Sequence, residues 1–172
     1  LDFSRYEMRF IGNSPVTFTN IRHIPPLETT ELAQELKNSD IFITASQKDP
    51  CSNSLIEALH CGLPAIVLKD GGHPELLGNG GEVFTNAEEI PALLDKIVAN
   101  YSNHRNNIQI PSLDQVGEAY FKFMENVFIK TQQGEYTPKS FSWVDYFKIK
   151  KTLVWWRSKQ RLIGLKAKIG LK

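Results

Sequence analysis

The sequence contains little cysteine. Only two of its 172 residues are cysteines, Cys51 and Cys61, and they lie ten positions apart. Two cysteines are too few for a disulfide framework, and this spacing is not the one that zinc ligands use. We therefore expect free thiols in a reducing compartment and no protein-bound metal.

Long apolar runs are also absent. No stretch of about 18 apolar residues is available to span a bilayer, and no apolar leader of the secretory type opens the chain. These features predict a cytoplasmic protein. The chain begins without Met and close to a strand, which we interpret as the sign of a fragment. Its 41% hydrophobic and 23% charged residues are typical of a globular domain.

Net charge is nearly absent, but the charges are unevenly distributed. Residues 141–172 carry nine Lys/Arg and one acid, whereas the other 140 residues carry 11 Lys/Arg and 18 acids. The chain is thus an acidic globule with a basic tail. We predict a domain over residues 1–131, a linker over 132–140 and a basic amphipathic helical tail over 141–172.

Short apolar segments alternate with segments of helical periodicity, which indicates an α/β fold with a parallel sheet. Residues 40–45 are apolar on both faces, as expected for a strand covered by helices on both sides. The number of predicted strands is low for a doubly wound, Rossmann-like domain, so we expect its first strand–helix unit to be missing. The predicted strands are 6–11, 16–24, 40–45, 65–68 and 82–84, and the predicted helices are 31–36 (capped by Thr29 or Thr30), 53–61, 74–77, 87–101 and 113–130.

The polar loop before the helix at residue 53 carries the strongest functional pattern. Ligands bind where parallel strands end and helices begin, and the free N–H groups at a helix N-terminus suit a phosphate. Glu57, one turn into the helix, suits a pair of adjacent sugar hydroxyls. Ser54 and Glu57 also fit a capping box, and their spacing alone favours that interpretation.

Three motifs in this order resemble a known family. Asp49 is followed after seven residues by Glu57, then come Gly62-Leu63-Pro64 and Gly71-Gly72-His73-Pro74-Glu75. This order resembles the C-terminal, nucleotide-sugar-binding half of retaining glycosyltransferases of family 4, which have the GT-B fold. The resemblance covers residues 5–130.

The resemblance implies a role for each matching residue. Asp49 takes the place of the first motif acid, near the hydroxyls of the donor sugar, and is the catalytic candidate. Glu57 binds the ribose of the nucleotide. The remaining predicted donor contacts are the backbone around Ser52, Asn53 and Ser54 for the diphosphate, and Gly71 and Gly72, which let the backbone approach the donor.

The resemblance also implies the reaction. A hexose passes from a nucleoside-diphosphate sugar to a sugar or lipid-linked acceptor with retained configuration, without an obligatory metal or other cofactor. The acceptor is bound by an N-terminal domain that this sequence lacks, so we expect the chain alone to be an incomplete enzyme. The expected product is a cell-surface polysaccharide or glycoconjugate.

The sequence departs from the family pattern at two places. The first motif acid is Asp49 rather than Glu, and Cys51-Ser52 stands where Phe-Gly is common, so we expect side-chain hydrogen bonds from Asn53 and Ser54 to phosphate. His73 is interpreted as a partly exposed turn residue. Cys51 has no base partner in the pattern and is not interpreted as a nucleophile.

The tail and the function each leave alternatives. Basic residues mixed with aromatics favour binding of the tail to an anionic membrane surface. This interpretation predicts a peripheral protein on the inner membrane face. Docking of the tail on the missing N-terminal domain is the second interpretation, and nucleic acid is disfavoured because base-reading motifs are absent. The alternatives to a glycosyltransferase are a nucleotide-sugar epimerase of similar fold and a non-catalytic, membrane-attached interaction module.

Overall fold

Two compact units make up the chain, Leu1–Ser112 (the N-terminal unit) and Leu113–Lys172 (the C-terminal unit). The structure, a computed structural model, describes residues 1–136, 140 and 142–168, with side chains described as far as residue 161. The predicted linker and tail fall partly outside the described residues, at 137–139, 141 and 169–172. The functional division at residue 131 stays a prediction.

Strands and helices alternate through the N-terminal unit, and two helices follow in the C-terminal unit. The strands are β1 (Arg9–Ile11), β2 (Arg22–Ile24), β3 (Phe42–Thr44), β4 (Ala65–Leu68) and β5 (Gly81–Phe84). The helices are α1 (Thr29–Lys37), α2 (Asn53–His60), α3 (His73–Leu77), α4 (Ile90–Ala99, preceded by a 3-10 turn Ala87–Glu89), α5 (Tyr101–Asn106), α6 (Leu113–Gln132) and α7 (Trp143–Lys168).

All described strand pairs are parallel, which confirms the predicted α/β class. The larger sheet has the order β3–β4–β5, with Thr44 opposite Val67 and Val67 opposite Val83. β1 and β2 form a separate parallel pair in which Phe10 lies opposite His23. Because neighbouring strands run in the same direction, the ends of β3, β4 and β5 lie at one edge of the sheet.

The central strand β4 is buried on both faces. Successive side chains of a strand point to opposite faces, and here Ala65 and Val67 pack against α2 and α3 through Leu55, Leu59 and Leu77. Each fully buried Leu of this kind contributes about 1.5–3 kcal/mol relative to an exposed one.

On the other face of the sheet, Ile66 packs with Phe84 and with Leu94 and Ile97 of α4. Helices therefore cover both faces of the sheet, as the continuous apolar run of this strand predicts.

The end of α2 follows the predicted glycine stop. Gly62 has φ +81°, its N–H donates to the Leu59 carbonyl at 2.9 Å, and the Leu63 N–H donates to the Ala58 carbonyl at 3.1 Å. This hydrogen-bond pair is a Schellman motif, which needs a left-handed residue at Gly62. It turns the chain directly into β4.

Several predicted element ends are wrong. Neither Thr29 nor Thr30 caps α1, because the N-cap is Glu28 and no side chain caps the helix. The predicted helix 87–101 is interrupted at Asn100, and α5 occupies part of the predicted loop after it. Packing of Leu36 against α2, rather than a side-chain cap, stabilises helix α1.

The C-terminal unit consists of α6, α7 and the residues between them. No residue of α6 is buried, and its apolar side chains, such as Tyr120, Phe123 and Met124, are exposed. Within the described part of the chain, neither helix is both long and apolar enough to cross a membrane.

Candidate functional site

Two loops at the carboxyl edge of the larger sheet form the candidate site. Loop A (residues 45–52) joins β3 to α2, and loop B (residues 69–72) joins β4 to α3. β3 and β4 are neighbouring parallel strands, so both loops leave the sheet at the same edge, where open α/β sheets bind ligands.

The glycine pair of loop B lies directly against the backbone of loop A. The Gly72 N–H donates to the Asp49 carbonyl at 3.0 Å. A Cβ built on Gly71 would lie 2.2 Å from the Asp49 carbonyl oxygen, and one built on Gly72 would lie 2.3 Å from the Pro50 carbonyl oxygen. Only glycine fits there, because any side chain would push the loops apart. The pair thus brings the two loops together, and its predicted approach to a donor stays a prediction.

Asp49 is half-buried in the middle of loop A. Its Oδ1 accepts the Cys51 N–H at 3.1 Å, which forms an Asx turn. Lys48, just before it, has φ +56°. The turn fixes the direction of the Asp49 carboxylate and leaves Oδ2 without a hydrogen bond to the described residues.

Loop A ends at Ser52, the N-cap of α2. Ser52 is only 2% exposed, and its Oγ lies 3.2 Å from the Ser54 Oγ. Asn53 and Ser54 are exposed. The first backbone N–H groups of α2 have no acceptor within the helix, so they and the helix dipole form an anion-binding end beside loop A.

Glu57 is exposed on the same side of α2 as Asn53, four residues and about 6 Å along the axis. The capping-box interpretation of Glu57 is wrong, because the N-cap is Ser52 rather than Ser54 and no side chain caps this helix. Its carboxylate has no hydrogen bond or ion pair among the described residues. The Cα–Cβ bonds of a helix tilt towards its N-terminus, so the Glu57 side chain leaves the backbone in the direction of the loop edge.

His73, the first residue of α3, is not the partly exposed turn residue that the sequence predicts. It is 0% exposed, and its Nε2 lies 3.1 Å from the Ser46 Oγ of loop A. Its Nδ1 is buried without a partner in the described structure. Local sequence patterns do not reveal this pair, because the two residues are 27 positions apart. The adjacent Gly71-Gly72 is the local signal of a close approach.

The two loops also contain two lysines outside the predicted set of site residues, Lys48 in loop A and Lys69 in loop B, both exposed. Asp49 and Asp70 in the same two loops offset these charges, so the attraction of this edge for an anion depends on the start of α2. Among the described residues, no group of three or more His, Cys, Asp or Glu is placed to hold a metal ion.

The tail helix α7 exposes both aromatic and basic side chains. Tyr146, Ile149, Leu153 and Trp156 share one side of the helix by their spacing, and all four are exposed. The rest of the helix mixes bases with further exposed apolar residues, so the predicted amphipathic separation is only local. The described basic side chains are Lys148, Lys150, Lys151, Arg157, Lys159 and Arg161; Lys166, Lys168 and Lys172 lie outside the described side chains.

Comparison with known proteins assigns the family. A family model described as glycosyl transferases group 1 matches residues 18–110, more than half of the chain and including both loops and α2. The chain therefore belongs to the glycosyl transferases group 1 family, and the resemblance inferred from its motifs is confirmed.

Two individual proteins are similar over parts of the chain. A probable sucrose-phosphate synthase of Thermosipho melanesiensis is 37% identical over 67 residues, which are 38% of this chain and 16% of that protein. The crystal structure of Anabaena Alr3699/HepE in complex with UDP-glucose is similar with a TM-score of 0.45 and 18% identity, over 51% of this chain and 25% of that one. The chain thus spans a quarter or less of the length of either protein.

Proposed function

We propose that this chain is the donor-binding part of a retaining glycosyltransferase that uses a nucleoside-diphosphate sugar. The observation that carries the proposal is the grouping of Asp49, the open end of α2 and an unpaired, exposed Glu57 at one sheet edge. All of them lie within the range that matches the family. Transfer of the sugar to a sugar or lipid-linked acceptor would build a cell-surface polysaccharide or glycoconjugate.

Each group at the edge has a distinct role in this proposal. The diphosphate lies at the N-terminus of α2, where backbone N–H groups and the hydroxyl of Ser54 donate to it. Ser52 contributes through its backbone, because its hydroxyl already contacts Ser54. The Glu57 carboxylate accepts hydrogen bonds from both ribose hydroxyls, and the free Oδ2 of Asp49 accepts from a hydroxyl of the donor sugar.

The N-terminus of α2 and its neighbouring lysines support a donor that leaves as a nucleoside diphosphate. The α2 dipole and the exposed Lys48 and Lys69 favour the negative charge that develops on the departing diphosphate. The proposal needs no metal or other cofactor. The acceptor is bound by an N-terminal domain of the whole enzyme, since catalysis needs both substrates held in one geometry.

Calorimetry of the chain with UDP, UDP-glucose, GDP and GDP-mannose tests this proposal. Glu57→Ala removes two hydrogen bonds to a charged group, so we expect nucleotide affinity to fall by about 10–100-fold. Glu125→Ala, which removes an exposed helical glutamate of α6, is the matched control and leaves affinity unchanged. Equal affinity of Glu57→Ala and the unaltered chain would contradict the ribose role, and failure to bind any of these nucleotides would favour a non-catalytic interaction module.

We further propose that α7 attaches the protein to an anionic membrane surface at the inner membrane face. The supporting observation is the set of six basic side chains among exposed aromatics, with Lys159 Nζ 5.1 Å above the ring of Trp155. Aromatic side chains partition into the headgroup region, and each base near an anionic surface contributes up to about 1 kcal/mol.

Sedimentation with phosphatidylglycerol and phosphatidylcholine vesicles tests the attachment. All three tryptophans of the chain lie in α7, so a blue shift of tryptophan fluorescence reports binding of this helix without a label. We expect binding to phosphatidylglycerol alone, and replacement of Lys148, Lys150 and Lys151 by Gln reduces it by up to about 100-fold. Equal binding to both vesicle types would contradict attraction to an anionic surface, and binding to neither would favour docking on another domain.

A further inference from the structure

His73 is the most unusual buried group near the candidate site. Its side chain is completely buried, Nε2 is within hydrogen-bond distance of the Ser46 Oγ, and Nδ1 has no partner among the described residues. Buried polar atoms are almost always paired, so a histidine here costs more than an apolar side chain of similar size. This cost indicates that the histidine contributes more than packing, and its contact with Ser46 is the interaction that an apolar side chain could not make.

Loop A is otherwise weakly held. Residues 45–48 are exposed, and so are Pro50 and Cys51, so burial of apolar surface contributes little to its position. Ser46 lies at the start of the loop, where its Oγ is also 3.2 Å from the Thr44 Oγ1 at the end of β3. The Ser46 hydroxyl therefore links the end of β3 to His73 beyond loop B.

Loop B and His73, the residue that follows it, contact loop A at two separate points. The Gly72 N–H holds the backbone of loop A at Asp49. The His73 side chain holds the beginning of loop A through the hydroxyl of Ser46. The residues between these points include Lys48, whose left-handed φ of +56° is a conformation that costs free energy for a residue with a side chain. Two attachments, one on each side, keep this strained segment in place.

We propose that His73 is a positioning residue for Asp49, acting through Ser46 to hold loop A in the conformation that receives the sugar of the donor. This inference rests on the proposed function in one respect, that Asp49 lies beside the donor sugar. The imidazole contacts no ligand in this role. Its effect falls on the part of the ligand next to Asp49, while the nucleotide end depends on Glu57 in helix α2, which the core residues Leu55 and Leu59 hold in place.

Binding of a nucleotide with and without its sugar separates positioning from general folding. The probes are UDP with UDP-glucose, or GDP with GDP-mannose, whichever pair the unaltered chain binds. Ser46→Ala removes the hydrogen bond at an exposed serine without changing the core, so we expect affinity for the nucleotide sugar to fall about fivefold and affinity for the nucleotide to change less than twofold. An equal loss for both ligands would overturn the proposal.

Two replacements of the histidine provide the matched comparison. The amide nitrogen of Gln reaches the position of Nε2, so His73→Gln retains the bond to Ser46, whereas the shorter Asn does not. We expect His73→Gln to bind the nucleotide sugar nearly as the unaltered chain does and His73→Asn to match Ser46→Ala. The double variant Ser46→Ala/His73→Asn loses no more than either single variant, because both remove one interaction; additive losses would overturn the proposal.

Hydrogen exchange gives a readout that needs no ligand. Ser46→Ala raises amide exchange in residues 47–52 about fivefold and leaves β4 unchanged, because the hydrogen bond restrains only loop A. Unchanged exchange in this loop would overturn the positioning role even where nucleotides bind. If the unaltered chain binds no nucleotide but the loop exchanges faster in the variant, the proposed function fails while the restraint of loop A by His73 stands.

Discussion

The two units of this chain treat their apolar residues in opposite ways. In Leu1–Ser112, β4, α2 and α4 bury apolar side chains such as Val67, Leu55 and Ile97. In Leu113–Lys172, α6 has an equally regular apolar face, yet none of its residues is buried. An amphipathic pattern thus identifies the apolar side of a helix but not its partner. The N-terminal unit supplies its own partners, whereas the described surface of α6 remains uncovered.

The largest expected effect is on the free energy of unfolding. It comes from truncating a large apolar side chain that is buried in the N-terminal unit, compared with truncating one that is exposed in the C-terminal unit. Leu55 is 0% exposed and Met124 is 68% exposed. Leu55→Ala lowers the free energy of unfolding of the N-terminal unit by about 3 kcal/mol because it leaves a cavity, while Met124→Ala changes that of its own unit by less than about 0.5 kcal/mol.

Urea unfolding followed through backbone amide NMR signals of β4 and of α6 measures both values. A cost for Met124→Ala close to that of Leu55→Ala would break the contrast and show that the apolar face of α6 is covered in solution.

A smaller effect tests whether the close approach of the two loops is specific to the site edge. Gly71 and Gly62 both have positive φ, +58° and +81°, but only a Cβ at Gly71 would collide with backbone, that of Asp49. We expect Gly71→Ala to lower the free energy of unfolding by about 3 kcal/mol and Gly62→Ala by about 1 kcal/mol, the cost of the left-handed conformation alone.

The same urea titration of the N-terminal unit measures this pair of variants. The Cβ of Gly62→Ala would meet the side chain of Arg105 at an ordinary 3.5 Å, which makes it the control for conformation without collision. Equal costs for the two variants would mean that loop A moves freely away from loop B, in conflict with the restraint described above.

The smallest effect concerns an exposed contact that joins the start of the chain to α4. The Tyr6 hydroxyl, 3.0 Å from Asp95 Oδ1, and the Arg5 guanidinium, at 2.8 Å, hold the pKa of Asp95 below its ordinary value. Since the folded pKa is the lower one, this contact stabilises the N-terminal unit above the pKa of the unfolded chain and ceases to do so as pH falls through the folded value.

An NMR titration of the Asp95 carboxyl measures this shift. Tyr6→Phe removes its largest cause and raises the pKa of Asp95 towards the ordinary value. Tyr101→Phe, which removes a hydroxyl that donates to the Asp40 carbonyl instead, leaves it unchanged. An Asp95 pKa that does not respond to Tyr6→Phe would mean that the segment before β1 is not held against α4.

Local chemistry explains what the sequence predicted correctly. The apolar run of β4 requires cover on both faces, Gly62 allows the left-handed end of α2, and Pro91 falls in the first turn of α4, where its missing N–H costs nothing. Helix starts were less predictable, because the N-cap of α1 is Glu28, whose side chain makes no capping hydrogen bond, rather than either threonine.

In the candidate site, too, local sequence predicts some features and tertiary contacts determine the others. The order of Asp49, Glu57 and the glycine pair identified the two loops only through its resemblance to a known family, since the spacing of Ser54 and Glu57 by itself favoured a capping box. The burial of His73 was not predictable, because it depends on a contact with Ser46 that only the finished sheet creates. The role of Gly71 and Gly72 was also seen in part: close approach was expected, but the neighbour in this structure is loop A itself.

Cys51 is a natural labelling site in loop A. It is an exposed thiol one residue before the cap of α2, and its N–H donates to the Asp49 carboxylate, whereas Cys61, the other cysteine, is half-buried at the far end of that helix. A thiol-reactive dye therefore labels the native sequence beside the candidate site first. Its emission, or the slowing of its attachment, follows occupancy of this edge in real time without any engineered residue.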